Sequence, residues 1–446
     1  MSDSDASPVL AVPPAPTLGE ALRFWLKLGF ISFGGPAGQI SIMHQELVEN
    51  RRWISERRFL HALNYCMILP GPEAQQLATY IGWLLYGRWG GLVAGGLFVL
   101  PSLLLFWFLG WLYMSFGHLP TLQAILWGIK PVVVALVLAA AWRLGQKTLK
   151  NNYLRAICLS ALVAIFTGLA FVWIVLSAAI IGVLLSSWRN DIFTSSGHGS
   201  NYKDDSLALI NDKSPIPAHA QYSQRSLIST LFVGVALWAT ALASLSYTWG
   251  LAHLLSQVGL FFSKVALLTF GGAYAVLPYV NQAVVFDYQW LTQAQMMDGL
   301  ALGESTPGPL IMIVAFVSFV AGWQQSFMSE PLLSGIFTSS VATFFTFLPS
   351  FVFIFLGAPI VEATRHLPKL HAPLTAISAA IVGVIVNLGL FFAYHVFWPQ
   401  GFGHSIDLMA IGLSVMAFVA LVRFNISVIT VLAVCASLGF VVKEWI

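Results

Sequence analysis

The chain has 446 residues, of which 58% are hydrophobic and only 9% are charged. Soluble globular proteins carry roughly a quarter charged residues, so this composition excludes a water-soluble protein and predicts an all-α polytopic membrane protein. The net charge of +3 is small, and no nucleic-acid partner is expected. The three cysteines, Cys66, Cys158 and Cys435, are far apart in the sequence and predict neither a disulfide nor a metal site.

The amino-terminal half begins with a polar tail and continues with interrupted apolar segments. Residues 1–17 lack a basic region before an apolar core and predict a disordered tail rather than a signal peptide. Residues 18–45 are interrupted at Gly34-Gly35-Pro36, and residues 58–87 at Pro70-Gly71-Pro72. Glycine and proline at these points argue against one straight spanning helix in either segment.

The next two apolar runs are predicted to span the membrane. Residues 91–115 and 121–142 are long enough to cross a hydrocarbon core of roughly 30 Å. The run 156–187 is too long for one ordinary crossing, and its counterpart 408–441 carries Arg423-Phe424-Asn425 near its middle. Each of these two runs therefore predicts a pair of short helices, although a single crossing remains the alternative.

The second half of the sequence repeats the first. A shift of 237 positions aligns Lys27 with Lys264, Phe33-Gly34-Gly35 with Phe270-Gly271-Gly272, and Pro70-Gly71-Pro72 with Pro307-Gly308-Pro309. A small gap then aligns Leu100-Pro101-Ser102 with Leu348-Pro349-Ser350. The chain is therefore a tandem duplication. The predicted divisions are repeats at 18–187 and 250–441, a polar cytoplasmic linker at 188–226 and a linking transmembrane helix at 227–249.

The positive charges predict the orientation of the two repeats. Four arginines lie in the loop 44–58, and two arginines and two lysines lie in the loop 143–155, so both loops should face the cytoplasm. They share a side only if the intervening Pro-Gly-Pro segment is re-entrant. The loop 281–298 has no Lys or Arg. The loop 281–298 corresponds to the arginine-rich loop 44–58 of the first half, so the distribution of positive charge is reversed. The reversed charge distribution predicts an inverted-topology repeat with the amino terminus in the cytoplasm and the carboxyl terminus in the periplasm.

Paired broken helices indicate an anion site. A break inside a bilayer is tolerated only where protein or water covers the freed backbone groups, and the amino end of a half-helix presents N–H groups and a positive dipole. Inverted repeats with discontinuous helices are typical of secondary transporters, whereas a single Gly-Gly more often serves close helix packing. The predicted substrate-binding residues are Gly34, Gly35, Gly38, Gly71, Gln75, Gln76, Gly271, Gly272 and Gly308.

Ionisable residues in the apolar segments are functional candidates, because such groups are costly in a bilayer. Lys27 and its repeat Lys264 are predicted to attract the anion, with Arg23 assisting. The alternative is that these side chains reach to the lipid headgroups.

Four residues are predicted to couple or gate transport. They are Arg23, Glu73 directly after Pro72, Glu304 before Pro307, and Tyr80. Helix capping is the alternative for Glu73, which stands in the first turn of a half-helix.

The repeated Phe-Gly-Gly, the stretch PGPEAQQLATYIGW at 70–83 and the stretch PGPLIMIVAFVSFVAGW at 307–323 resemble the chromate ion transporter family in its long, two-domain form. The resemblance covers nearly the whole chain. It implies export of chromate from the bacterial cytoplasm across the inner membrane, chromate resistance, and sulfate as a look-alike substrate. The second repeat departs at Ala273, Tyr274 and Leu310, where the first has Pro36, Ala37 and Glu73.

Other functions stay open on the same scaffold. A transporter of sulfate or another oxyanion, or a passive anion channel, would fit the same sequence features. An enzyme is not expected, since no cluster of catalytic residues and no cofactor motif is visible, and no cofactor or metal is predicted. The predicted partners are chromate, sulfate and the lipid bilayer, and a homodimer is one alternative for the oligomeric state.

Overall fold

The structure, a computed structural model, describes residues 13–32, 35–188, 208–211, 214, 217–270, 272–363, 371–399, 401 and 405–445. The predicted tail lies mostly outside this part, as do residues 189–207 of the predicted linker. The described residues form sixteen α-helices and no strand. The helices are α1 (Leu18–Ile31), α2 (Gly35–His44), α3 (Glu56–Ile68), α4 (Glu73–Phe116), α5 (Pro120–Thr148), α6 (Asn152–Phe166), α7 (Phe171–Trp188), α8 (Gln224–Trp249), α9 (Leu254–Leu268), α10 (Ala273–Asn281), α11 (Gln293–Ser305), α12 (Ile313–Gln325), α13 (Pro331–Ala363), α14 (His371–Phe397), α15 (Leu408–Val422) and α16 (Val428–Trp445).

The duplication extends to local backbone detail. Ser55 caps the amino end of α3, and Thr292, which stands 237 positions later, caps α11. Each side chain accepts a hydrogen bond from a free N–H of the first turn, which stabilises a helix start. The stretches Gln45–Asn50 and Gln282–Asp287 are both wound as π-helix. Since π-helix is rare in proteins, its repetition at equivalent positions supports a common origin of the two halves.

The Pro-Gly-Pro segment of the first half is re-entrant, as the sequence predicts. Arg58, at the start of α3, and Tyr80, in the second turn of α4, both contact Glu362. The chain therefore enters along α3 and returns along α4 to the same end of the bundle. At Tyr86 and Gly87 the backbone of α4 leaves helical geometry, with Gly87 at φ 69°. The arm of α4 beyond this kink contains the predicted crossing 91–115.

Within the described ranges, five helices are long and apolar enough to span a membrane: α4, α5, α8, α13 and α14. The runs 156–187 and 408–441 each contain two short helices, which confirms the prediction of helix pairs. These pairs are α6 with α7 and α15 with α16.

Equivalent helices of the two halves run antiparallel. Gly91 and Gly95 of α4 lie against Phe355 and Phe351 of α13, so the sequence numbers rise in opposite directions. Helix α5 crosses its equivalent α14 in the same way, with Gly145 against Val382 and Leu138 against Gly389. A twofold axis perpendicular to the helices produces this relation. The inverted-topology repeat predicted from the charges is therefore present in the fold.

The last helices of each half pack on the other half. Helix α14 packs against α6 and α7, while α5 packs against α15 and α16. Glycines allow these close approaches: Gly383 of α14 meets the backbone of Cys158, and Gly128 of α5 meets that of Cys435 and Gly439. Such small residues let helix backbones approach closely inside a bilayer. The buried core is accordingly shared between the halves.

Candidate functional site

Each Pro-Gly-Pro turn is hydrogen-bonded to the first break of the opposite half. The Gly71 N–H donates to the Thr269 carbonyl at 2.7 Å, and the Gly308 N–H donates to the Ser32 carbonyl at 2.8 Å. Ser32 and Thr269 end α1 and α9 and are themselves buried. The four interruptions therefore meet in two reciprocal pairs inside the protein and do not face lipid.

The two turn glycines have no room for a side chain. Gly71 has φ +127° and Gly308 has φ +106°, a region that non-glycine residues avoid. A β-carbon on Gly308 would lie 2.6 Å from Ser102 Cβ, and a β-carbon on Gly71 would collide with Ser350 Oγ and Gln76 Nε2. The backbone at these two glycines is thus in close contact with serine and glutamine side chains of the surrounding helices.

Side-chain amides of glutamines in the first half donate hydrogen bonds to both Pro-Gly-Pro turns. Gln76 Nε2 donates to the Pro70 carbonyl at 2.8 Å. Gln39 Nε2 donates to the carbonyls of Gly308 and Ser32, so it bridges the second pair of interruptions. Gln75 Nε2 donates to Thr79 Oγ1 at 3.0 Å. Gln39, which the sequence did not single out, could have been noticed as a polar residue one turn after the first break.

Two serines at the turns have hydroxyls without a partner. Ser102 and Ser350 are 0% and 1% exposed, and neither Oγ has a hydrogen-bond partner among the described residues. They are the serines of the duplicated Leu-Pro-Ser, and each lies at the glycine of the opposite half's Pro-Gly-Pro. A buried unpartnered hydroxyl costs free energy. Ser318 and Ser339 are also buried and unpartnered, so the position at the turns is what distinguishes Ser102 and Ser350.

The amino end of α10 is surrounded by ionisable groups. A Glu73 carboxylate oxygen lies 4.0 Å from the β-carbon position of Gly272, which caps α10 at φ +95°. Tyr274, in the first turn of α10, donates its hydroxyl to Glu304. Arg143 and Lys147 of α5 carry positive charges whose Coulombic influence reaches Glu304 and Glu73. Both side chains are exposed, and the Arg143 guanidinium donates to the Leu421 carbonyl at 2.9 Å.

The equivalent end of the first half carries no such charges. The residues that align with Glu73, Glu304, Arg143 and Lys147 are Leu310, Met67, Asn387 and Phe391. Gly35, which begins α2 at φ +69°, has open space around its β-carbon position. The two breaks are thus alike in backbone and unlike in charge. The sequence led us to treat Arg143 and Lys147 only as loop charges, because their distance in sequence from α10 hides their proximity.

Two buried charge clusters lie near opposite ends of the long helices. At the carboxyl end of α13, Glu362 Oε2 lies 2.7 Å from Arg58 Nη1. Glu362 also accepts a hydrogen bond from the Tyr80 hydroxyl. The charged atoms of Arg58 and Glu362 are close but not aligned for a hydrogen bond. We call this group the Arg58 cluster.

The second group, the Asp298 cluster, lies at the carboxyl end of α4. Asp298 of α11 accepts from the Tyr113 hydroxyl at 2.9 Å and lies 3.6 Å from Lys130 Nζ. Because α4 and α13 are antiparallel, the two clusters stand at opposite ends of the bundle. Each of them joins a re-entrant helix, α3 or α11, to a long helix.

Not all predicted site residues meet at the interruptions. Arg23, Lys27 and Lys264 are exposed on the outer faces of α1 and α9, so their attraction of the anion stays a prediction. Gly38 is half-buried within α2. Gly34 and Gly271 lie outside the described residues.

A groove of about 1010 Å³ opens between α5, α6, α14 and α15. Its lining is almost wholly apolar, and none of the interruption residues belongs to it. In the described ranges no group of three His, Cys, Asp or Glu side chains could hold a metal ion.

Comparison with known proteins identifies relatives over most of the chain. The profile of a family described as "Chromate transporter" matches residues 19–183 and 256–440. The chromate transport protein of Pseudomonas aeruginosa is 33% identical over 380 residues, which cover 84% of this chain and 81% of that protein. The chromate transport protein of Cupriavidus metallidurans is 30% identical, with 86% and 85% covered. A probable chromate transport protein of Synechococcus elongatus is 30% identical, with 87% and 88% covered. No solved structure matches the chain.

Proposed function

Because this chain belongs to the chromate transporter family, we propose that it is a secondary transporter that exports chromate from the cytoplasm across the bacterial inner membrane and so confers chromate resistance. The supporting relatives bear the name of chromate transport proteins and match both halves of the chain. Export and resistance are the parts of the proposal that need direct measurement.

The observation that carries the proposal is the reciprocal contact of the four interruptions. Two backbone N–H groups, of Gly71 and Gly308, point at carbonyl oxygens of the opposite half. An oxyanion presents oxygen acceptors of the same kind to such donors. We therefore take the carbonyls of Ser32 and Thr269 to hold the positions that substrate oxygens occupy during transport, and the oxyanion to replace them when the halves separate.

The two charge clusters support alternating access to this site. The Arg58 cluster and the Asp298 cluster tie re-entrant helices to long helices at opposite ends of the bundle. Release of one cluster while the other holds would expose the interruptions to one side of the membrane only. Tyr80, through Glu362, would then act in gating rather than by touching the anion.

The charges near α10 support coupling to protons. Glu73 lies where an anion would approach the free N–H groups of α10, and an ionised carboxylate repels an anion there. Protonation of Glu73 or Glu304 would remove that repulsion. Arg143 and Lys147 would then supply the favourable charge for the dianion.

The membrane potential favours export of a dianion. One elementary charge crossing 100 mV is worth about 2.3 kcal/mol, so two charges leaving an inside-negative cell gain about 4.6 kcal/mol. At about 1.4 kcal/mol per tenfold ratio, this supports a gradient on the order of a thousandfold. Uptake of the same ion would require several coupled cations.

The test is uptake of labelled chromate and labelled sulfate into inverted membrane vesicles. We expect chromate uptake when the vesicle interior is positive, with counterflow of unlabelled chromate. Chromate entry that requires the opposite potential would contradict export. Preference for sulfate would assign the protein to sulfate transport on the same fold, and flux without counterflow or proton dependence would indicate a passive channel.

A further inference from the structure

Ser102 and Ser350 have the properties of ligand-binding side chains rather than packing residues. Both are buried, and both hydroxyls lack a partner among the described residues. Serine hydroxyls on membrane helices ordinarily donate to a carbonyl one turn earlier. Thr346 does so on α13, one turn before Ser350, with its hydroxyl 2.7 Å from the Ala342 carbonyl. The two serines leave this local bond unmade.

Their position relates them to the interruptions by the internal symmetry. Ser102 Oγ lies 2.8 Å from the β-carbon position of Gly308, and Ser350 Oγ lies at the equivalent position of Gly71. Each half thus supplies a free hydroxyl to the Pro-Gly-Pro turn of the other half. Packing alone gives no reason for an unpartnered hydroxyl at two equivalent positions of a duplicated chain, because alanine would fill the same space without an orphaned donor.

The nearest donors and acceptors define the ligand class. A serine hydroxyl can donate to an oxygen acceptor and carries no charge. At the turns it stands beside a backbone N–H, and beside the Gln76 amide in the first half. Such neutral donors suit a small anion with several equivalent oxygens.

We propose that the hydroxyls of Ser102 and Ser350 bind the transported tetrahedral oxyanion, one from each half, once its oxygens replace the Ser32 and Thr269 carbonyls. This inference rests on the proposed function and names the side chains that make the site. Because both donors are neutral, chromate and sulfate should both bind through them. The serines then determine affinity for the oxyanion class rather than choice within it.

The test is binding of chromate and sulfate to the purified full chain, measured for Ser102→Ala and Ser350→Ala. We expect each variant to bind both anions about tenfold more weakly, since a hydrogen bond to a charged group is lost. Without anion, each variant should melt at the wild-type temperature or above it, because a buried unpartnered hydroxyl has been removed. The anion-induced rise in melting temperature should shrink in both variants.

Ser339→Ala is the matched control. Ser339 is on α13 with Ser350, is 0% exposed and also has an unpartnered Oγ, but it does not lie at a Pro-Gly-Pro turn. This variant should bind anions like the wild type.

The outcomes separate the inference from the proposed function. Wild-type affinity in either Ser102→Ala or Ser350→Ala would overturn the serine assignment while leaving transport intact. A clear loss of melting temperature without anion would assign the hydroxyls a structural role and overturn it as well. Failure of the wild-type protein to bind or move either anion would instead reject the proposed function.

Discussion

Gly71 and Gly308 combine positive φ angles with a lack of space, and this combination sets them apart from the other glycines that the structure describes. We expect Gly71→Ala and Gly308→Ala to reduce chromate transport at least tenfold, because the added methyl group displaces Ser350 or Ser102 and strains the turn. Transport per folded protein in vesicles is the measurement.

Gly250 provides the control for backbone strain. It has φ +92° but nothing within 4 Å of its β-carbon position. Gly250→Ala should therefore lose some stability yet keep its transport rate per folded protein. Equal transport losses at Gly250 and at the two turns would show that strain alone, and not the contact at the turns, explains the effect.

Glu73 and Glu304 mark the charged end of α10, and their neutral forms can be imitated with glutamine. We expect Glu73→Gln and Glu304→Gln to lose the dependence of net chromate flux on a proton gradient while chromate counterflow continues. The physical reason is that glutamine neither binds a transferable proton nor repels the dianion. The measurement compares flux with and without an imposed proton gradient.

Glu330, which is exposed on the loop before α13, serves as the control for that experiment. Glu330→Gln should leave the proton dependence unchanged. A Glu73→Gln or Glu304→Gln variant with wild-type proton dependence would remove that residue from the coupling mechanism.

The re-entrant helix α3 is tied to α13 by a buried ion pair between Arg58 and Glu362. Removing one partner should lower the free energy of unfolding by about 3–5 kcal/mol, since the remaining group stays buried without its ion-pair partner. Arg58→Gln and Glu362→Gln should each show this loss, and the double variant should lose less than the sum. A double-mutant cycle by denaturant unfolding in detergent checks the coupling.

The comparison pair is Glu46, in the π-helical stretch Gln45–Asn50, and Arg51, which directly follows that stretch. Their side chains are about one-third exposed. Neutralising Arg51 should change stability by about 1 kcal/mol or less. Additive losses across the Arg58–Glu362 cycle would show that the two charges do not stabilise one another.

The helical segments could be predicted well from the sequence because their causes are local. Pro-Gly-Pro interrupts the helix in both halves, and Arg423-Phe424-Asn425 indicates the turn between α15 and α16, whereas Gly90-Gly91 and Gly95-Gly96 lie inside α4. The partners of these interruptions could not be predicted. The hydrogen bond from Gly71 to Thr269 joins backbone atoms of different halves, so the pattern of side chains in the sequence does not indicate it.

For the site residues too, local sequence features could be predicted and contacts between distant parts of the chain could not. The repeated Phe-Gly-Gly and Pro-Gly-Pro make their glycines site candidates from the sequence alone, and the duplication aligns Ser102 with Ser350 without indicating that they are donors. Arg143 was missed as a neighbour of Glu304 because α5 and α11 are far apart in sequence. Lys27 and Lys264 were chosen because they repeat, and repetition alone does not show which face of a helix is covered.

The antiparallel relation of the halves fixes relative but not absolute orientation. From the positive charges of the loops 44–58 and 143–155, we expect the loop 281–298 to lie outside the cell. Reporter fusions or labelling of introduced cysteines in that loop should give a periplasmic signal. Introduced cysteines at 143–155 serve as the cytoplasmic control, and a cytoplasmic signal from 281–298 would reverse the proposed orientation.

The exchange of packing between the halves has a consequence for how the protein is made. Helix α5 receives its neighbours α15 and α16 only when the last residues of the chain have been translated. Until then, the surface of α5 around Gly128 has no helix packed against it in the bilayer. A chain that terminates before α15 therefore lacks the two helices that pack against α5 of its first half.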